Sequence, residues 1–220
     1  MSVSDLNLSS PTGSAARRAV VVDFTRHVDQ RPLCGHDIES FRASMGLSRM
    51  EFSLAMALVP SQYQKTVCNQ GPLSLDREIL LRLYQLSPSP SAWQNWSPQE
   101  AFEEFYGPLL RSFVLPVHQA KARVMLYRRF TAVMGRSVAR SFSWFQGNQG
   151  HSLPVRRVLG KLIELASPRE VLEAIAAQAY AVRGQDLELI APLPTLESVS
   201  RVRRGRSPKL RLTNPRGEPS

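Results

Sequence analysis

The chain has 220 residues, 43% of them apolar, and 28 Lys and Arg against 18 Asp and Glu. That apolar fraction supports one or two modest hydrophobic cores and excludes a disordered polymer, while the net charge of +10 suits a polyanionic partner, either nucleic acid or an anionic membrane surface. No stretch approaches the roughly 18 apolar residues of a membrane span, and the opening MSVSDLNLSSPTGSAARR has no apolar signal core, so the expected location is the cytoplasm with no membrane partner.

Residues 1–18 read as disordered, and AVVVDF at 19–24 fits either a short strand or a first helical turn. From Gly35 the pattern turns helical, with Ile38, Phe41 and Met45 at spacings of three and four and Gly46 closing the turn. Ser48 and Glu51 form a capping-box pair ahead of Phe52, Ala55 and Met56, which starts a second helix. A third helix is expected over 61–67. Asn69-Gln-Gly-Pro72 then breaks the chain, and Ile79, Leu80, Leu83 and Leu86 mark an amphipathic helix over 76–86.

The segment 87–98, SPSPSAWQNWSP, reads as a linker anchored by Trp93 and Trp96. Beyond it, helices are expected over 98–113 and 117–130. A Ser167–Glu170 capping box should start a helix that carries Val171, Leu172, Ile175, Ala176, Ala179 and Val182 on one side. Residues 184–220 read as an extended segment and a basic tail, whose last twenty residues hold seven basic groups and one acid. Such a tail suits nonspecific phosphate contacts or plain solubilisation.

Charge is distributed unevenly. Between Glu104 and Glu164 there is no acid and ten Lys and Arg, whereas His36 to Leu86 holds five of each sign. The two halves therefore cannot meet a polyanion equally.

The halves also repeat a phrase. FSLAMALVPSQYQKTVCNQGPLSLDREILLRLYQL at 52–86 and FTAVMGRSVARSFSWFQGNQGHSLPVRRVLGKLIEL at 130–165 both run from Phe through a helix, a turn and a helix to Asn-Gln-Gly and then a Leu-rich helix. One inserted residue accounts for the difference in spacing. FRASMGLSRMEFSLAM at 41–56, and FTAVMGRS at 130–137 with Trp144, resemble the Cro/C1-type (lambda-repressor-like) helix-turn-helix family. The resemblance covers about 36–86 and, more weakly, 117–165. It implies an all-α fold with two tandem helix-turn-helix units of four to five short helices each. With the linker between them, the chain divides into a first unit over 19–86 and a basic second unit over 99–183 with an additional C-terminal helix. The first unit departs from the family pattern in having Ala57 at the usual turn glycine; the second keeps Gly135 and Trp144 but has Phe145 where an acid often follows.

Double-stranded DNA is the partner so implied. In the first unit Ser61 is the expected cap of the recognition helix and a phosphate contact, with Gln62, Gln64 and Lys65 directed at bases and Tyr63 either among them or in the core. In the second, Ser137 is the expected cap and phosphate contact, Arg140, Ser141 and Ser143 face bases, and Val138, Phe142 and Phe145 point inward. Arg128, Arg129, Arg136, Arg156 and Arg157 flank that helix and suit phosphates. The more basic second unit is expected to engage DNA more firmly.

The two cysteines, Cys34 and Cys68, are too few for a disulfide framework or a four-ligand zinc site and are expected to be reduced, semi-buried thiols. His36, His118 and His151 lie far apart, and no phosphate loop, nucleophile elbow or carboxylate pair is evident, so no metal, cofactor or enzymatic activity is expected. The leading expectation is a sequence-specific, nucleoid-associated transcriptional regulator. Its alternatives are an accessory protein for partition, conjugation or replication of a bacterial mobile element, and an adaptor that binds a protein through the first unit. Homodimerisation stays open.

Overall fold

A computed structural model describes residues 31–88, 95–146, 150–165 and 167–201. The expected disorder at 1–18, the apolar run at 19–24, Trp93, Asn148 and the tail beyond Arg201 lie outside the described residues. The described residues form an all-α protein of eleven helices and no strand.

The first four helices are α1 (Gly35–Ser44), α2 (Arg49–Ala55), α3 (Pro60–Val67) and α4 (Leu75–Leu86). The Ser48–Glu51 box forms as expected: Glu51 N–H donates to the Ser48 hydroxyl and Ser48 N–H to the Glu51 carboxylate. The helix α3 starts one residue early, at Pro60, with Val59 as its cap. Proline suits this position because its missing N–H would have no intrahelical partner there.

The next four are α5 (Pro98–Arg111), α6 (Pro116–Val133), α7 (Arg140–Phe145) and α8 (Leu153–Ile163). Ser97 and Glu100 make a capping box that the sequence reading missed. Trp96 packs its ring edge against Phe105 at 6.1 Å and so fixes the end of the linker.

The last three are α9 (Pro168–Ala181), α10 (Leu187–Ile190) and α11 (Leu196–Ser200). The expected Ser167–Glu170 box does not form, and Glu170 pairs with Arg169 instead. The extended segment expected from 184 is corrected as well: Leu187, Ala191 and Val199 are buried, and α10 and α11 pack on α9 and α6.

The repeat has a matching backbone. At the end of α2, Ala57 N–H donates to Leu54 O and Leu58 N–H to Ser53 O; at the end of α6, Gly135 N–H donates to Ala132 O and Arg136 N–H to Thr131 O. Both helices close through a left-handed residue, Ala57 at φ 52° and Gly135 at φ 74°. The helices that follow the two Asn-Gln-Gly segments, α4 and α8, pack on each other, and α9 packs on both. One continuous core therefore runs from Leu33 to Val199 across both units.

Two buried arginine clusters fasten α9 and the turn that follows it to the rest. Glu78 of α4, fully buried, pairs with Arg82 at 2.7 Å and with Arg183, whose Nη2 donates to Leu73 O at 2.7 Å. On α6, Arg129 pairs with Glu173 and Glu188, both at 2.6 Å, and donates to the carbonyls of Leu187 and Ala191. Tyr106 of α5 donates to the same Glu173.

Candidate nucleic-acid interface

Two packing contacts hold α3. Gly35 opens α1 against the last turn of α3 so closely that a Cβ there would stand 1.9 Å from Thr66 O. Tyr63 is 3% exposed and points inward, its hydroxyl donating to Glu39 of α1 at 2.7 Å. Hydrogen bonds from Arg42 and Tyr63 hold the Glu39 carboxyl down at about 2. Burial, with Glu39 alongside, pushes the Tyr63 phenol well above its ordinary value. The core reading of Tyr63 is the one the structure adopts.

With Tyr63 inward, the helical period turns its neighbours outward, and Ser61, Gln62, Gln64 and Lys65 are all exposed. Ser61 is not the cap, because Val59 holds that position. Gln62 and Lys65, three residues apart, share one strip of α3, and Asn69 follows just past its end. Together with Thr66 they form one wall of a groove of about 340 Å³, whose other wall is Pro72, Leu73, Ser74 and Arg77. Asn69 braces the turn by accepting from Gly71 N–H at 3.0 Å. The Arg77 guanidinium has no acid partner among the described residues, although the Arg77 backbone N–H donates to Asp76 Oδ1 at 3.0 Å.

The sequence reading missed Asn69 and Arg77. The spacing from Gln62 to Asn69 is legible, but the approach of Arg77 depends on how the Asn-Gln-Gly-Pro break folds α4 back beside α3.

In the second unit several expected contacts are corrected. Arg129 is 3% exposed, and its donors are turned to Glu173, Glu188 and two carbonyls. Arg157 is buried in the core and its pKa is lowered by that burial. Arg136 is held by Asp76 at 2.6 Å and by the Ser152 hydroxyl. Lys161, on α8, is also buried and lies over the Tyr84 ring. The run without acids thus overstates the surface charge, since part of it neutralises acids from elsewhere in the chain.

The helix α7 spans only six residues and begins at Arg140 with Ala139 as its cap, so Ser137 stands in the preceding turn. The hydroxyls of Ser141 and Ser143 donate back to Val138 O and Arg140 O. Trp144 is buried, and Phe145 stacks on Tyr127 at 3.8 Å. Phe142, expected inside, is 70% exposed. Arg128 and Arg140 are exposed and have no acid partner among the described residues, while Arg156 reaches Asn95 Oδ1 at 3.4 Å.

Cys34 is half-buried and Cys68, expected to be similar, is exposed; both are free thiols. Among the described residues no group of three His, Cys, Asp or Glu is placed to hold a metal ion, and no helix is long and apolar enough to cross a membrane. Set against protein-family models, curated proteins and solved structures, the chain matches none.

Proposed function

We propose that this protein is a sequence-specific DNA-binding transcriptional regulator that reads the duplex with α3 and works at the bacterial nucleoid. The observation that carries this reading is the outward face of α3, where Gln62, Gln64 and Lys65 project from a helix locked by the buried Tyr63. A helix so mounted fits the major groove, and a glutamine amide matches the donor and acceptor edge of adenine. Lys65 suits guanine or a phosphate, and Ser61 and Arg77 suit phosphates on either flank. The net charge of +10 and the resemblance to Cro/C1-type proteins agree with it.

In the second unit, Arg140 occupies the position that Gln62 has in the first, 78 residues earlier in the chain. Arg140 and Arg128 supply a second contact to the same duplex. Because Arg129 and Arg157 are buried, the first unit becomes the leading reader, in place of the more basic second one.

The test is selection of binding sites from random and genomic duplexes by the whole chain, repeated as salt rises. The expected result is an enriched sequence whose affinity falls with salt along a log-linear slope. Retention of no duplex at low salt sinks the proposal. Enrichment confined to partition, transfer or replication sites, with no promoter among them, favours an accessory role.

A further inference from the structure

The repeat places two concave sites at corresponding points. From the Asn-Gln-Gly segments onward the two phrases are offset by 79 residues, so Pro72 and Arg77 of the first unit correspond to His151 and Arg156 of the second. Pro72 and Arg77 wall the groove beside α3, and His151 and Arg156 line a cleft of about 540 Å³ at the end of α7. What faces these residues differs. In the first unit it is the polar Gln62, Lys65 and Thr66; in the second it is the rings of Trp144 and Phe145, joined by Trp96 from the end of the linker.

A cleft of this size, with aromatic walls and a few polar groups, has the form of a small-molecule site. His151 in its wall is 5% exposed and meets Trp144 edge-on at 4.7 Å. Neither of its ring nitrogens has a hydrogen-bond partner among the described residues, and a buried polar group left so points to a partner from outside the chain.

Arg156 is the one cation among the described lining residues. It lies over Gly150, where a Cβ would stand 3.7 Å from its Nη2, and its Nη1 donates to Asn95 Oδ1 at a long 3.4 Å. It has no acid partner among the described residues, so its parallel donors are free to take a carboxylate in two contacts. The one acid of the lining, Glu100, is held in its helix cap, accepting from Ser97 N–H at 2.7 Å. One cation with one acid nearby suits a ligand of single negative charge and disfavours a phosphate dianion.

We infer that this cleft binds a small aromatic carboxylate. Its carboxylate pairs with Arg156 in place of the weak bond to Asn95, and its ring lies against Trp96 and Trp144, with His151 at its border. This inference does not depend on DNA binding.

The probes are phenylacetate and indoleacetate, titrated into the whole chain isotope-labelled at its histidines, with calorimetry alongside. The expected result is saturable binding with Kd below about 1 mM and a shift of the His151 ring signals alone. Phenylacetamide, which lacks the charge, and cyclohexylacetate, which lacks the aromatic ring, should each bind the unaltered protein at least about tenfold more weakly than phenylacetate. R156Q should weaken phenylacetate by about tenfold with its melting unchanged. Should that variant fail to fold, the comparison of acid with amide on the unaltered protein still decides the role of the charge. The inference is overturned if neither acid binds up to about 10 mM, if another histidine moves in place of His151, or if the amide or cyclohexylacetate binds as well as phenylacetate. Tighter binding of phenyl phosphate than of phenylacetate also overturns it, by making the cleft a phosphate site.

Discussion

Arg136, in the turn after α6, sets its guanidinium 2.6 Å from the carboxylate of Asp76 in the first turn of α4. This contact joins the turn of one unit to the helix that walls the groove of the other, and it requires Gly135 beside it. A Cβ on Gly135 would stand 2.4 Å from the Asp76 nitrogen, which is backbone and cannot swing away, and the residue lies at φ 74°. Gly135→Ala is therefore expected to cost about 3 kcal/mol or more, from left-handed strain plus displacement of α4. Urea unfolding checks it, and a midpoint equal to the wild type would contradict this packing.

The corresponding residue of the first unit gives the opposite sign. Ala57 holds the left-handed conformation at φ 52° with a Cβ that disfavours it. Ala57→Gly removes that strain and adds some unfolded-state entropy, so a net gain of about 0.5–1 kcal/mol is expected. A loss of stability in the same urea experiment would show that the Ala57 methyl contributes more by packing than it costs in strain.

These two positions also mark how far the sequence was legible. The ends of α2 and α6 announce themselves, because a helix that closes through a left-handed residue needs Gly or a strained substitute, and the repeat aligns Ala57 with Gly135. The Ser48–Glu51 box is equally local. Arg129 and Arg157 were misread because nothing in a basic stretch says which cations meet distant acids; Glu173 and Glu188 lie 44 and 59 residues beyond Arg129. Phe142 was placed inside by its spacing from Val138 and Phe145, but α7 starts only at Arg140, so Val138 lies outside it and the spacing does not run along one helix. The outward strip of α3 was legible from its residues. The groove beside it was not, since Arg77 reaches it through the fold of α4.

Adjacent arginines of α6 should part company. Arg129 is buried against Glu173 and two carbonyls, so Arg129→Ala strands a half-buried carboxylate and is expected to cost about 3–5 kcal/mol. Arg128 is exposed, and Arg128→Ala should leave stability within about 0.5 kcal/mol while weakening DNA binding modestly. Thermal unfolding with duplex titration of both variants checks the pair. Equal destabilisation by the two would mean that the α6–α9 joint is misassigned.

Acid should loosen the fold in two stages. His151 is buried against Trp144 and Phe130, with no hydrogen-bond partner for either ring nitrogen among the described residues; the Ser97 backbone approaches it without good geometry. Burial, helped by the charge of Arg156, pushes its pKa from 6.5 down to about 4. The unfolded chain binds that proton first as pH falls, so stability drops between pH 6.5 and 4, by up to about 3 kcal/mol. Glu39, held at about 2 by Arg42 and Tyr63, adds stability above pH 4.5 that is lost between 4.5 and 2. His151→Phe should flatten the first stage and leave the second, and Glu39→Gln should do the reverse. A wild-type stability curve flat from pH 7 to 4 would exclude the buried neutral imidazole.

On the duplex that selection returns, the two kinds of contact on α3 should separate. Gln62 has no charge to offer a phosphate, so Gln62→Ala is expected to cost about 1–3 kcal/mol on the selected site, little on random duplex, and to leave the salt slope unchanged. Lys65 stands one turn on, beside Arg77 in the groove. If it meets a phosphate, Lys65→Ala weakens selected and random duplexes alike and lowers the slope of log affinity against log salt by about 0.9. If it meets guanine, the loss concentrates at one base position, and replacing that base pair removes the difference between variant and wild type. Fluorescence anisotropy over a salt series distinguishes these outcomes. Wild-type binding by Q62A, K65A and R77A together would remove α3 from the interface and leave Arg128 and Arg140 as the contacts to pursue.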